Sequence, residues 1–265
     1  MLKYRVTGHS RRLIFFAGVI RMSVIKKLRC KKEPKLPYCS AVIVAAGASS
    51  RMGFDKMTAT LGNMPVIARS IKVFQDSPCI SEIIIVTKSQ SVAAMADICR
   101  QFGFDKVSKV VEGGKTRTES SLAGVCQVNE KAKLIAIHDG ARPLVTEKVI
   151  ADTAWAAAEK MAAAPGVPTA DTIKLADDKG MVTGTVDREH AFAVQTPQIF
   201  AADLIKGALS RAVSKELSVT DDCAAVEATG MNVFIVPGDR DNIKLTSPAD
   251  FYMCEKILSD SGERV

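Results

Sequence analysis

Val42-Ile43-Val44-Ala45-Ala46-Gly47-Ala48-Ser49-Ser50-Arg51-Met52-Gly53, followed by Lys56, is the stretch that decides how this chain is read. Its apolar, β-branched beginning reads as a buried strand, and it passes with no polar spacer into a loop of small residues. Small side chains let several backbone N–H groups approach one anion, and Arg51 and Lys56 add two positive charges. That equipment suits a nucleoside triphosphate. The spacing is neither G-x-x-x-x-G-K-[ST] nor G-x-G-x-x-G, so neither a P-loop ATPase nor a dinucleotide-binding dehydrogenase follows from it. The same residues also suit a plain strand-to-helix turn with both cations in water, so the rest of the chain must decide.

Working outward, short apolar runs alternate with helical periodicity. Residues 40–46, 82–87, 107–111 and 133–138 read as strands, and 65–75, 92–102 and 116–128 as helices. This alternation predicts an α/β fold: a Rossmann-like, mostly parallel sheet with helices on both faces and ligands at the carboxyl ends of the strands. After a helix over 147–161 the rhythm breaks. Residues 163–198 mix Pro165, Gly166, Pro168, Gly180, Gly184 and Pro197 with β-branched residues. They read as a protruding β-hairpin arm over about 165–195, which has no core of its own and suits dimerisation. Helices over 201–213 and 221–229, a strand over 232–236 and a closing helix from Pro248, with Ser247 as its cap, complete the pattern.

The net charge of +7 over 265 residues suggests nucleic acid until it is located. Residues 1–35 hold 11 of the 36 Lys and Arg and one of the 29 acids, which leaves 25 basic and 28 acidic residues for the body. A nucleic-acid role would rest on that tail alone, and none is expected. The apolar run 13–20 is too short to span a bilayer and lacks a signal-peptide cleavage pattern, so no membrane partner is expected. Residues 1–38 are read as a basic extension with little order, and 39–265 as one domain. A translation start at Met22 would account for the apolar run. The seven cysteines are scattered, odd in number and never spaced as C-x-x-C, which predicts reduced thiols in the cytoplasm and no structural zinc.

Four further segments place charge where such a sheet gathers ligands. Glu112-Gly113-Gly114-Lys115-Thr116-Arg117-Thr118-Glu119-Ser120 opens a helix with paired glycines; a capped terminus and a second pocket wall are both consistent readings. His138-Asp139-Gly140-Ala141-Arg142-Pro143 ends the fourth strand, where Asp139 can hold magnesium or cap a turn, and His138 packs in or beside the core. The arm carries Asp171-Thr172-Ile173-Lys174 and Thr185-Val186-Asp187-Arg188, with Gln195-Thr196-Pro197-Gln198 at its base. Asp239-Arg240-Asp241-Asn242-Ile243-Lys244-Leu245-Thr246 follows the last strand.

Taken together, A-A-G-x-x-x-R-M with a following lysine, G-G-x-x-R-x-x-S, H-D-x-A-R-P, D-T-x-K, T-V-D-R, Q-T-P-Q-x-F, T-D-D and D-N-I-K-x-T resemble, in order, the 2-C-methyl-D-erythritol 4-phosphate cytidylyltransferases of the non-mevalonate isoprenoid pathway. The resemblance covers residues 40 to about 260. It implies transfer of a cytidylyl group from CTP to the polyol phosphate by a magnesium-dependent homodimer, another divalent cation being an alternative. It gives Arg51 and Lys56 the stabilisation of transition-state charge. It places Ala45, Ala46, Gly47, Ser49, Gly113, Ser120, Asp139 and Lys244 around CTP, with Asp139 nearest the metal. Thr172 and Arg188 from a partner's arm, with Lys244 and Arg142, would hold the polyol phosphate. Three positions depart from the usual pattern: Ser49 stands for a glycine, Asp55-Lys56-Met57 for Pro-Lys-Gln after a shortened loop, and Gly140 for an alanine.

A phosphate monoester is largely a dianion at neutral pH and needs no general base, which agrees with a set of motifs that contains no nucleophile-base pair. Two other readings stand beside this one: a sister enzyme acting on ribitol 5-phosphate, and a non-catalytic nucleotide sensor.

Overall fold

A computed structural model of the chain describes residues 35–47 and 55–262. Ser49, Arg51, the basic tail through residue 34 and the Met22 start therefore lie outside the described residues.

The first half runs β1 (Cys39–Val44), the short pair β2 (Thr60–Leu61) and β3 (Met64–Pro65), α1 (Val66–Asp76), β4 (Glu82–Thr87), α2 (Val92–Phe102), β5 (Val107–Glu112), α3 (Arg117–Val125) and β6 (Leu134–Asp139). There follow α4 (Glu147–Lys160), β7 (Ala162–Pro168), β8 (Lys174–Ala176), β9 (Val182–Thr185), β10 (Phe192–Val194), β11 (Gln198–Ala201), α5 (Ala202–Ser214), α6 (Asp222–Glu227), β12 (Phe234–Pro237) and α7 (Pro248–Asp260). Among the described residues no helix is long and apolar enough to cross a membrane.

Strands β5, β4, β1 and β6 pair in parallel, as the alternating pattern predicts. Beyond β6 the sheet becomes mixed: β11 is antiparallel to β6, β7 is antiparallel to β11, and β12 returns parallel to β7. The sequence reading needs correction here. It assigned 163–198 wholly to a hairpin, with the arm over about 165–195, yet the root of that segment is sheet core. Ala162, Ala163 and Ala164 are fully buried in β7, whose two edges are both paired. Ala163 faces Ile199 on one side and Phe234 on the other, while Gly166 faces Val194 and Pro237, so β10 and β11 share one edge and β12 takes the other. Prolines and glycines marked the segment as irregular, whereas the small alanines that let it pack carry no strand signal. The outer arm is the β8–β9 hairpin, in which Leu175, Met181 and Val182 are exposed.

The extension also ends earlier than expected. Leu36 and Tyr38 already pack on the core, and the Tyr38 carbonyl accepts the Lys133 and Leu134 N–H groups at 2.9 and 3.2 Å.

The central strands read as unbroken apolar runs because both faces are covered. Ala41, Ile43, Ile83 and Ile85 face the layer of α1, α2, α4 and α7, while Val42, Ile84, Val86, Ile135 and Ile137 face α3, α5 and α6. Local signals fix the helix ends. Thr116 accepts the Glu119 N–H at 3.1 Å and caps α3, and Ser247 with Asp250 forms a complete capping box on α7.

Helix α3 lies so close to the sheet that a Cβ on Gly124 would collide with Val42 and come within 2.6 Å of Val86, whereas one on Gly207 in α5 would meet nothing within 4 Å. Gly124→Ala should therefore destabilise the fold by ~1–3 kcal/mol through overpacking, and Gly207→Ala should stabilise it by ~0.4–1 kcal/mol. Chemical denaturation of both variants checks this; equal and small effects would mean that α3 can move away from the sheet.

Candidate active site

Because β5, β4, β1 and β6 run parallel, the loops that follow them leave the sheet at one edge, and Val44 stands in register with Asp139. These loops enclose a cavity of about 280 Å³. Ala45, Ala46 and Gly47 line it from the first loop, Gly114, Lys115, Thr116, Arg117 and Ser120 from the start of α3, and Asp139 and Ala141 from the end of β6. Lys56 and Lys244 close the remaining sides. A larger hollow of about 660 Å³ between α2 and β5 is lined by none of the motif residues, so size alone does not mark the site.

Gly113 stands directly behind the wall, where a Cβ would come within 2.7 Å of both Ala46 and Ser120, so only glycine lets the two walls meet. Ser120 Oγ donates to the Thr116 carbonyl at 2.9 Å and accepts the Gly114 N–H at 3.1 Å, which holds the glycine pair against the helix start. Lys56 Nζ donates to the Leu245 carbonyl at 2.8 Å, beside Lys244.

Asp139 is the electrostatic centre. Its side chain is 10% exposed, and it lies 3.1 Å from Arg117 Nε, 2.6 Å from Lys244 Nζ and 4.0 Å from Arg142 Nε. Burial pushes its carboxyl up, but Arg117, Lys244 and then Arg142 outweigh burial and hold it well below the usual carboxylate range. Burial lowers the Arg117 guanidinium, and the flanking Asp222 and Asp139 more than reverse this. Asp222 is 1% exposed, and there burial dominates over Arg117 and raises the carboxyl.

His138 is fully buried against Phe74, as the sequence reading held. The Asp139 N–H donates to Thr196 Oγ1 at 3.1 Å, so that hydroxyl directs its own proton to His138 Nδ1 at 3.0 Å. His138 then carries its proton on Nε2 and donates it to the Arg142 carbonyl at 3.2 Å. Burial lowers its pKa to about 3, so the ring is neutral and fixes the backbone on both sides of the Asp139 turn.

Of the residues singled out from sequence, Ala45, Ala46, Gly47, Lys56, Ser120, Asp139 and Lys244 meet in one cavity. Arg142 does not line it: Nη1 is engaged by the Asn242 carbonyl at 2.7 Å, and the side chain braces Asp139 and the Lys244 loop from behind. Thr172 and Arg188 are exposed on the arm and do not line their own chain's cavity. Arg117 was legible in the first turn of the helix read as a possible second pocket wall, whereas Asp222 was only a letter in T-D-D with no role attached; nothing in sequence pairs residues so far apart.

The family model for 2-C-methyl-D-erythritol 4-phosphate cytidylyltransferase (IspD) matches residues 39–260. The chain belongs to this family. It is accordingly a nucleotidyltransferase, and the resemblance read from the eight motifs is borne out. The cytidylyltransferase of Alkaliphilus oremlandii is 40% identical over 227 residues, covering 84% of this chain and 96% of that protein. The cytidylyltransferase of Caldanaerobacter subterraneus is 41% identical, over 83% and 98% of the two chains. Among solved structures, 4-diphosphocytidyl-2C-methyl-D-erythritol synthase from Anaerococcus prevotii superposes with a TM-score of 0.77 at 28% identity, covering 84% of this chain and 96% of that one.

The His138 environment sets a pH dependence in this cytidylyltransferase-family chain. Its folded pKa lies below the unfolded value, so between pH 6.5 and about 3 the unfolded chain binds a proton that the folded chain refuses. This group's contribution is therefore fully present above pH 6.5 and falls as pH drops through the window, while that of Asp139 is lost only as pH falls below 3.8. His138→Gln should lose less stability than the wild type between about pH 7 and about pH 5. Parallel slopes in denaturant melts at the two pH values would show that His138 is not the titrating group.

Proposed function

We propose that this chain joins the phosphate of 2-C-methyl-D-erythritol 4-phosphate to the α-phosphorus of CTP, releasing pyrophosphate in isoprenoid precursor biosynthesis. The observation that carries this reading is the cavity itself, which Lys56, Lys115, Arg117 and Lys244 line together with one carboxylate, Asp139. Two anions must meet there, and positioned positive charge is what such a transfer needs. A monoester oxygen forms the new bond to the α-phosphorus as the bond from that phosphorus to the pyrophosphate oxygen breaks. No proton has to move, which agrees with a histidine buried neutral and out of the cavity.

Among the described residues no three His, Cys, Asp or Glu groups cluster to hold a metal on their own. Magnesium is usually held by one or two carboxylates together with substrate phosphates, and Asp139 supplies one carboxylate at the cavity wall. The residues fit. Asp139 would hold the ion, which supplies charge neutralisation on the phosphates. Lys56 is assigned to transition-state charge and Lys244 to the phosphates of both substrates. Arg51 is assigned with Lys56 on the family pattern alone.

The arm supports the reading of a homodimer. Ile173, Leu175, Met181 and Val182 expose apolar surface on a two-stranded hairpin, and Thr172 and Arg188 are exposed beside them. Contact with a second copy would cover that surface and deliver Thr172 and Arg188 to the partner's polyol phosphate. A cytoplasmic location suits the six free cysteines of the described residues, five of them buried.

Incubation with CTP and magnesium, with methylerythritol phosphate and ribitol 5-phosphate in parallel, tests the reading by pyrophosphate release. Release with ribitol 5-phosphate alone would redirect it to the sister activity, and release with neither would leave a nucleotide sensor. Lys56→Ala should lower kcat by ~10²-fold or more with a far smaller change in CTP affinity. A loss confined to CTP affinity would place Lys56 in binding only. Mixed with subunit exchange, Lys56→Ala and Arg188→Ala should together regain about a quarter of wild-type activity, because half of the dimers then hold one intact site. No recovery in proven heterodimers would remove the shared site.

A further inference from the structure

Arg117, the first residue of α3, is held between two carboxylates. Nε lies 3.1 Å from Asp139 Oδ1 and Nη2 lies 2.8 Å from Asp222 Oδ2. Its third nitrogen, Nη1, makes no protein hydrogen bond among the described residues, although Arg117 lines the cavity and its side chain is 27% exposed.

Asp222 is differently placed. It lies outside the cavity wall at the start of α6, its side chain is 1% exposed, and neither carboxylate oxygen makes an aligned hydrogen bond among the described residues. Its backbone is fixed independently, because the Asp222 and Cys223 N–H groups donate to Gln198 Oε1 at 3.1 and 3.0 Å. Nor is its carboxylate needed to cap α6, since Asp221 accepts the Ala224 N–H at 2.8 Å. Its polar neighbours are the Arg117 guanidinium and the Ser121 hydroxyl, which lower the carboxyl without overcoming its burial; an apolar residue of similar size would pack there more cheaply. What it does is hold one edge of Arg117. A guanidinium beside a single carboxylate tends to take it bidentately. The pull of Asp222 on Nη2 leaves Asp139 bound through Nε alone, with an oxygen for Lys244, and leaves the third edge of the fork for another anion.

Resting on the nucleotide reading above, we propose that Arg117 is a further cation of the CTP phosphate site, contacting a phosphate oxygen through Nη1, and that Asp222 is its positioning residue. A lysine cannot replace it, because a point charge cannot serve three oxygens in one plane.

The test is equilibrium titration of CTP, without acceptor and both with and without magnesium, on the wild type, Arg117→Lys, Asp222→Asn and the double variant. Arg117→Lys should weaken CTP about tenfold even without metal, and Asp222→Asn severalfold. The double variant should bind no more weakly than Arg117→Lys, because Asp222 acts only through the arginine. A second pair, Arg117→Met with Asp222→Leu, removes both charges together. It should unfold near the wild-type temperature yet bind CTP about tenfold more weakly, which separates positioning from folding. Wild-type affinity in Arg117→Lys or in the Met/Leu pair would overturn the proposal, as would an Asp222→Asn effect that multiplies undiminished onto Arg117→Lys. Failure of the wild type to bind CTP would overturn the nucleotide reading as well.

Discussion

A single buried carboxylate organises this site. Asp139 lies at the end of a parallel strand with Arg117, Lys244 and Arg142 around it, and each of those cations arrives on a different segment. Bringing three positive groups together without a counter-charge would drive the segments apart. The ionised carboxylate holds them within reach of one another, and it does so because the cations outweigh the burial that would neutralise it. The neutral His138 and the Thr196 hydroxyl then fix the backbone from which Asp139 projects.

The parallel half of the sheet makes this arrangement possible. Strands that point the same way deliver their following loops to the same edge, so residues from 45 to 141 in the sequence line one cavity. That half was plain in the sequence, because β1, β4 and β6 are continuous apolar runs separated by helices of ordinary length. The small residues after β1, the paired glycines before α3 and the acid ending β6 each marked a loop, and register brought the loops together.

The other half was less legible for definite reasons. Strand β7 is built of alanines beside a proline and a glycine, so its place in the sheet depends on neighbours on both edges rather than on its own propensity. Strand β11 is short and joins antiparallel, against the βα rhythm on either side. The resemblance gave Arg142 to the polyol phosphate. In the structure its Nη1 donates to the Asn242 carbonyl, a contact no local pattern announces. The pairing of Arg117 with Asp222 spans elements whose contact no local pattern encodes.

The root of the arm touches the reaction centre almost directly. Val194 ends the arm strand β10, Gln195 is buried against Asp239 and Asn242, and the Thr196 hydroxyl receives the N–H of the central acid. The chain that returns from the outer hairpin thus meets the turn of the central acid two residues after leaving strand β10, so one hydrogen bond ties the foot of the protrusion to the floor of the cavity.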